Sequence, residues 1–353
     1  MTDIAPQTGN VDIRAIEHEL AALWAKVGEG DAAVTRACVL NLLILLGPDA
    51  ETERRVSDVL AKLMVNCPCR ALMLRLLPAS AAERPLDAWV QAHCQVASPG
   101  RPQVCCEQIT IQARGDAARG MPGLVLPLLM PDVPVMVWVP RGEPSELDPS
   151  GRLTRLADRL IVDSATFADA SAARRRLLAI AAKGTHISDL AWGRLTPWRE
   201  LTAQFFDAPA LRQHLSEIEQ VTVRATGDLT PGLLAAGWLA SRLGWHTTAD
   251  SPHGRQLVRT DGAPIAIMVD SGRDDAALIG GLTIQCRRAK FTVRPTGGRG
   301  RAEAIAAIDG MPPVQRTVDV ALPDDAALIA EELRLPGRDK GYEGALRVAA
   351  DLG

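Results

Sequence analysis

The sequence is short of tyrosine and lysine. Tyr342 is its one Tyr, beside four Phe and seven Trp, and only five of its 39 basic residues are Lys, at 26, 62, 183, 290 and 340. Arg in place of Lys, with abundant Ala, is first a signature of codon bias; where Arg is used functionally, its planar donor fork suits phosphate or carboxylate. No apolar run approaches the ~18–20 residues that a membrane helix needs. The longest, Val39–Gly47, has the length of a strand. Residues Met1–Asn10 are polar, without the basic and apolar regions of a secretory leader, so the expectation is a cytoplasmic protein with no membrane contact. Neither charge dominates: 39 basic against 42 acidic residues give a formal charge of −3. That balance provides no general affinity for nucleic acid or anionic lipid. The seven Cys lack the regular spacing of a secreted disulfide framework.

Catalytic signatures are missing too. There is no Gly-x-Ser-x-Gly elbow, no Walker A motif and no Gly-x-Gly-x-x-Gly after a strand. No pair of Cys-x₂₋₄-Cys units exists to hold zinc. The residues offer neither a catalytic set nor a site for a metal or cofactor.

What is present is an ordinary globular composition, 47% apolar and 23% charged, in 353 residues. At roughly 150 residues per domain that length predicts two domains. Ile13, Ile16, Leu20, Leu23 and Val27 have helical spacing. Val39–Leu46 reads as a buried strand, followed by a helix carrying Val56, Val59, Leu60 and Leu63 and a strand over Ala71–Leu77. Residues 78–103 read as a loop with a short helix around Trp89. Ile109 and Ile111 alternate with Gln and Thr as in a half-exposed strand, and Val133–Val139 reads as a buried one. Helices are expected over Gly151–Leu160, over 169–182 with a basic face of Arg174, Arg175 and Arg176, and from Thr196-Pro197 to Asp207.

From about residue 215 the pattern restarts. A strand at 221–225 precedes a helix containing Leu233, Leu234 and Leu239. Short strands near 256–260, 264–269, 282–288, 290–294 and 314–322 follow, then helices near 324–334 and 342–352. The expected class is α/β in the mixed sense: an α/β domain over 1–210 and an α+β domain over 215–353, each a sheet packed with helices.

Two local features carry possible chemistry. Thr296-Gly-Gly-Arg-Gly-Arg301 could cradle an anion through backbone N–H groups with Arg299 and Arg301, although Pro-Thr-Gly-Gly is first of all turn chemistry. That loop is the basis of an alternative reading as a sugar-phosphate- or nucleotide-binding enzyme or sensor. Cys67-Pro-Cys69 and the vicinal Cys105-Cys106 are candidate redox thiols, against the simpler reading as buried reduced side chains.

Three stretches in order carry a resemblance. They are Asn66-Cys-Pro-Cys-Arg70; Leu126-Pro-Leu-Leu-Met-Pro-Asp-Val-Pro-Val-Met-Val-Trp-Val139 with Ala157-Asp-Arg-Leu-Ile-Val-Asp163; and Asp189-Leu-Ala-Trp-Gly-Arg-Leu-Thr-Pro-Trp-Arg199. Thr35–Leu42 and Tyr342-Glu-Gly-Ala-Leu346 fit as well. Together they resemble the OpcA family of glucose-6-phosphate dehydrogenase assembly proteins. The resemblance implies a non-catalytic partner that binds glucose-6-phosphate dehydrogenase and promotes its active oligomer, supporting NADPH production in the oxidative pentose phosphate pathway. It carries over no catalytic residue. Interfaces concentrate their energy in a few aromatic and Arg anchors, so the expected anchor set is Trp192, Arg194, Trp198 and Arg199, with Trp138 as a neighbour. Core packing is the competing reading for Trp138 and Trp198, whereas Gly193 and Arg194 suggest that Trp192 lies in a loop.

Overall fold

The structure is a computed structural model that describes the chain apart from residues 1, 4–12, 29–33, 65–66, 81–84, 97–102, 249–255, 273–277, 297–299, 336 and 353. It is mixed α/β, with two sheets in two compact units. The first unit takes Met1–Asp163, Gly184–Ser188 and Asp325–Pro336; the second takes Ser164–Lys183, Asp189–Asp324 and Gly337–Gly353. A single boundary near 210–215 is therefore replaced by interleaved units. Residues 164–183 and 189–210 join the second unit, and the helix Asp325–Arg334 joins the first.

The first sheet uses β1 (Thr2–Asp3), β2 (Val34–Arg36), β3 (Asn41–Leu46), β4 (Arg70–Leu77), β5 (Leu86–Val96), β6 (Gln103–Arg114), β7 (Val135–Val139), β8 (Arg159–Val162) and β9 (His186–Asp189). Its order is β1-β5-β6-β4-β3-β7-β8-β9, with β2 beside β6. From β6 to β8 every pairing is parallel. The chain steps outward from β3 through β4 to β6, then returns to the other side of β3 with β7. This is the doubly wound arrangement, with its switch between β3 and β7. β3 is buried at all six positions, as a central parallel strand covered on both faces must be. The helix Ala50–Leu63 buries the expected stripe of Val56, Val59, Leu60 and Leu63.

One ion pair is buried inside this sheet. Arg70 on β4 and Glu107 on β6 are register partners. Arg70 Nε and Nη2 lie 2.8 and 2.7 Å from Glu107 Oε2, and Trp24 Nε1 donates to the other carboxylate oxygen at 3.0 Å. Arg70 Nη1 also donates to the Leu128 carbonyl at 2.6 Å. Each charge is thus matched by hydrogen bonds, the condition under which a buried pair is tolerated.

Several local expectations change. The segment around Trp89 is strand β5, which pairs antiparallel with β6 from Leu86↔Ala113 to Val96↔Gln103. Its Ala88, Val90 and Ala92 alternate into the core. On β6, Gln108 and Thr110 are buried along with Ile109 and Ile111, because β6 lies between β4 and β5 rather than at a half-exposed position. Gly151–Leu160 is no helix. The Asp148 carboxylate accepts the backbone N–H groups of Arg152, Leu153 and Thr154, leaving one 3₁₀ turn at Thr154–Leu156 before β8. The helix Ala170–Ala181 is present, but Arg174 turns inward with its Nη1 3.4 Å from Thr230 Oγ1, so the basic face reduces to Arg175 and Arg176.

The second sheet contains β10 (Ile218–Thr226), β11 (His246–Thr248), β12 (Gln256–Val258), β13 (Pro264–Gly272), β14 (Ile279–Cys286), β15 (Ala289–Pro295), β16 (Arg301–Ile308) and β17 (Val314–Asp319). The order is β11-β12-β13-β10-β14-β15-β16-β17, antiparallel except between β10 and β13. β16 escaped the sequence reading because its inward positions are Ala302, Ala304 and Ala306, small residues without β-branching. On the covered face Val221, Val223, Leu282, Ile284, Phe291 and Val293 are buried. The helix Thr230–Arg242 packs on β10 and β13, and the helix Lys340–Leu352 packs on that helix.

The helix–helix contact explains Gly237. A Cβ there would clash with the Ala345 carbonyl oxygen, a backbone atom that cannot rotate away. Gly237→Ala therefore costs about 1–3 kcal/mol by overpacking, despite the better helix propensity of Ala. Urea denaturation followed by circular dichroism checks this; an unchanged or higher midpoint would refute the close approach.

Candidate functional site

The motif Asp189–Arg199 folds into two short helices, Leu190–Arg194 and Thr196–Gln204, around a buried carboxylate. Asp189 caps the first: its Oδ1 accepts the N–H of Ala191 at 3.0 Å and of Ser164 at 3.1 Å. Its Oδ2 accepts the hydroxyl of Tyr342 at 3.0 Å. The molecule's single Tyr is thereby 1% exposed and ties the helix Lys340–Leu352 to the motif. Asp339, just before that helix, accepts Trp192 Nε1 at 2.8 Å and the Tyr342 N–H at 2.9 Å. The Trp192 and Tyr342 rings lie 5.9 Å apart, and the Arg199 guanidinium covers the Trp192 ring at 3.5 Å from its centroid. Arg199 Nη2 also donates to Thr196 Oγ1 at 2.8 Å.

This geometry corrects the expectation that Trp192 lies in a loop. It sits in a helical turn, 3% exposed, with its indole N–H satisfied internally. Trp198 is equally buried at 3%, and Trp138, on β7 in the first unit, is 0% exposed. Half-exposed positions in the motif are Gly193, Arg194, Thr196, Pro197 and Arg199. Trp192 therefore forms the floor on which the Arg199 guanidinium is set. Asp189 and Asp339 were missed as organising groups; the signal available was the solitary Tyr342 within a recognised motif, since a buried phenol seeks a polar partner.

Thr196 and Pro197 do open the second helix, with Pro197 in its first turn. The capping position, however, falls on Leu195 without a side-chain bond, because the Thr196 hydroxyl is engaged by Arg199.

The other candidates are weaker. Arg299 lies outside the described residues. Arg301 opens β16, and its Nε is 3.0 Å from Asp319 Oδ1, so its charge already has a carboxylate partner. The side chain of Cys105 also lies outside the described residues, whereas Cys69 and Cys106 are buried and Cys67 is half-buried. Burial pushes the thiols of Cys67, Cys69 and Cys106 above their ordinary range, and Cys286 up to about 12. A suppressed thiolate opposes redox reactivity.

A doubly wound sheet raises the question of a dinucleotide, whose phosphates in such folds rest on the helix N-terminus after the first strand. Here the turn after β3 is Gly47-Pro-Asp49. The Asp49 carboxylate accepts the Glu51 N–H at 3.2 Å and the Thr52 hydroxyl at 2.5 Å. Those bonds hold its pKa below the ordinary carboxylate range. Glu51 and Glu53 add two more acids in the first turn. A pyrophosphate would meet an ionised carboxylate there instead of free N–H groups, so these residues do not fit the cofactor. At the carboxyl ends of β4 and β6 lies a cavity of about 560 Å³, lined by Leu76, Leu77, Arg119, Leu147, Asp148 and Leu153, among others. Asp148 is already saturated by its own loop.

The class so defined is a two-unit α/β protein with a doubly wound sheet in which the turn after β3 is capped by its own carboxylate. Residues 61–179 match the family described as glucose-6-phosphate dehydrogenase subunit N-terminal domain, and 185–346 match the corresponding C-terminal domain. The chain belongs to this family, OpcA. It is 33% identical over 200 residues to the OxPP cycle protein OpcA of Synechocystis, covering 56% of this chain and 41% of that protein. It is 30% identical over 316 residues to the protein of the same name from Synechococcus elongatus, covering 80% and 67%. The chain thus spans less than half the length of the first relative and about two thirds of the second. Among solved structures it is similar to a UDP-N-acetylglucosamine 3-dehydrogenase from Acidithiobacillus ferrooxidans (11% identity, 90% and 96% of the two chains, TM-score 0.46). A Synechocystis biliverdin reductase bound to biliverdin and NADP+ is similarly distant (11%, 89% and 97%, TM-score 0.43). Likeness at this level carries no argument about activity.

Two outcomes follow from the geometry. Tyr342→Phe leaves the buried Asp189 one donor short, at a cost of about 1–3 kcal/mol. Asp189→Asn added to it costs less than the sum of the two single changes. Full additivity in urea melts would contradict the bond. For the thiols, the unfolded chain ionises near 9.0 while native Cys286 keeps its proton to about 12. The unfolded state releases protons first, so stability falls as pH rises through that window. Cys286→Ala should show a shallower alkaline decline than the parent protein.

Proposed function

We propose that this chain is a non-catalytic assembly factor and activator of glucose-6-phosphate dehydrogenase. It acts in the cytoplasm and promotes the dehydrogenase's active oligomer, thereby supporting NADPH production in the oxidative pentose phosphate pathway. The observation that carries the reading is the pair of family matches over 61–179 and 185–346, both described as dehydrogenase subunit domains. The carboxylate-capped turn after β3 supports it, because a protein using a nicotinamide dinucleotide itself needs that turn for phosphate.

An activator must bind the active form or assembly of its partner more tightly than the inactive one, with a coupling of about 1–3 kcal/mol. The reading assigns the contact to Arg194 and Arg199, both at half-exposed positions, with Trp192 beneath Arg199. Arg199 is the sharper candidate. Stacking on Trp192 and bonding to Thr196 fix its guanidinium in advance, so little rotamer freedom remains to be lost on binding.

The test is titration of the cognate dehydrogenase with the parent chain and with Arg199→Ala. Loss of a central Arg anchor of ≥ 2 kcal/mol would weaken binding by about thirtyfold, while the melting temperature drops only slightly. Trp192→Ala, by contrast, should cost about 3–5 kcal/mol of stability. Unchanged affinity for Arg199→Ala would remove this surface from the interface. Absence of binding by the parent chain would overturn the function.

A further inference from the structure

The second sheet has a covered face and an open one. The register pairs place Met268, Thr222, Thr283, Thr292, Ile305 and Gln315 in one continuous row across β13, β10, β14, β15, β16 and β17. None of the six is buried, and Met268 is 51% exposed. The next row on one side is Ala266, Gln220, Gln285, Lys290 and Ala307; on the other lie the register partners Asp270, Arg224 and Gly281 and, one step beyond the Leu282↔Val293 pair, the partners Arg294 and Glu303. None of these is buried either. The alternating side chains of β10, β14, β15 and β16 are the buried ones.

We propose that this open face is a homodimer interface, on which a second copy of this chain lays the same face. Three properties point to a copy rather than to a partner of opposite charge. The central row has no charge. The charges beside it are largely neutralised within the chain: Arg294 Nη2 lies 2.9 Å from Glu303 Oε2 and Arg224 Nε lies 3.7 Å from Asp270 Oδ1, leaving Lys290 as the one further charge of these three rows. Such a face neither repels its copy nor offers a field to steer a charged partner.

A two-fold contact must also be self-complementary. An axis lying between the two sheets superposes the uncharged row on itself, whether it runs along or across the strands. Thr222, Thr283, Thr292 and Ile305 are β-branched and already restricted at χ1, and the Thr283 and Thr292 hydroxyls are 3.3 Å apart, so ordering this surface costs little. Size fits as well. Six strands about 4.8 Å apart and about seven residues long present about 700 Å² per copy. Sheets pack face to face in this way about 10 Å apart, and a stable interface buries about 1,200–2,000 Å² in total.

The experiment is sedimentation velocity of the purified full chain from about 1 to about 50 µM, beside Thr292→Arg and Thr292→Val. The expected parent mass is twice the 37.7 kDa of one chain. Thr292→Arg puts two like charges into the desolvated row and should weaken self-association at least a hundredfold, giving a monomer with unchanged circular dichroism; Thr292→Val should remain dimeric. If Thr292→Arg does not fold, Thr222→Lys, at another position of the same row, takes its place. A monomeric parent chain, or a folded Thr292→Arg that stays dimeric, would overturn the proposal. A monomeric parent whose binding to the dehydrogenase is abolished by Thr292→Arg would instead give this face to that enzyme.

Discussion

The second unit depends on one carboxylate. Asp189 is 1% exposed, yet it serves two backbone N–H groups and a phenol from three separate stretches of chain. It caps the motif helix, receives Ser164 and fixes Tyr342, which positions the terminal helix and the Asp339 that holds Trp192. A buried carboxyl group is costly unless it is hydrogen-bonded, and the three bonds to separate segments make the arrangement specific. The Trp-rich motif is consequently a structural latch first, and any partner-binding role rests on what the latch presents at its surface.

Much of this was legible beforehand. Apolar spacing located the helix at 50–63, which buries one stripe, and local patterns also pointed to the helices at 170–181, 230–242 and 340–352. The resemblance pointed to the right motif, and Tyr342 stood out by being alone. What could not be read were relationships set by distant partners. Trp192 looked like a loop residue beside Gly193 because its acceptor, Asp339, is 147 positions away. The strand through Trp89 was hidden because its partner β6 follows it across a polar connection. β16 was hidden because its inward positions are Ala302, Ala304 and Ala306, which lack the β-branched signature of a strand. The interleaving of the two units has the same origin: 164–183 and 337–353 join the second unit through tertiary contacts that no local pattern announces.

The first unit shows how a fold and an activity separate. Its strand order is one that elsewhere holds dinucleotides at the switch point. At that point this chain places Asp49, Glu51 and Glu53, and Asp49 occupies donors that a phosphate would need. Architecture survives such a change because the buried strands and the Arg70–Glu107 pair do not depend on a ligand. A scaffold of this kind can be kept for its surfaces alone, which accords with membership of a family described by its dehydrogenase.

The most direct test of that account is sedimentation of the cognate glucose-6-phosphate dehydrogenase titrated with this chain, with dehydrogenase activity read on the same samples. The account predicts a saturable complex in which dehydrogenase mass and activity rise together, while this chain alone neither turns over the sugar phosphate nor gains melting temperature from excess NADP(H). A dehydrogenase unchanged in mass and activity, together with stabilisation of this chain by NADP(H), would contradict it.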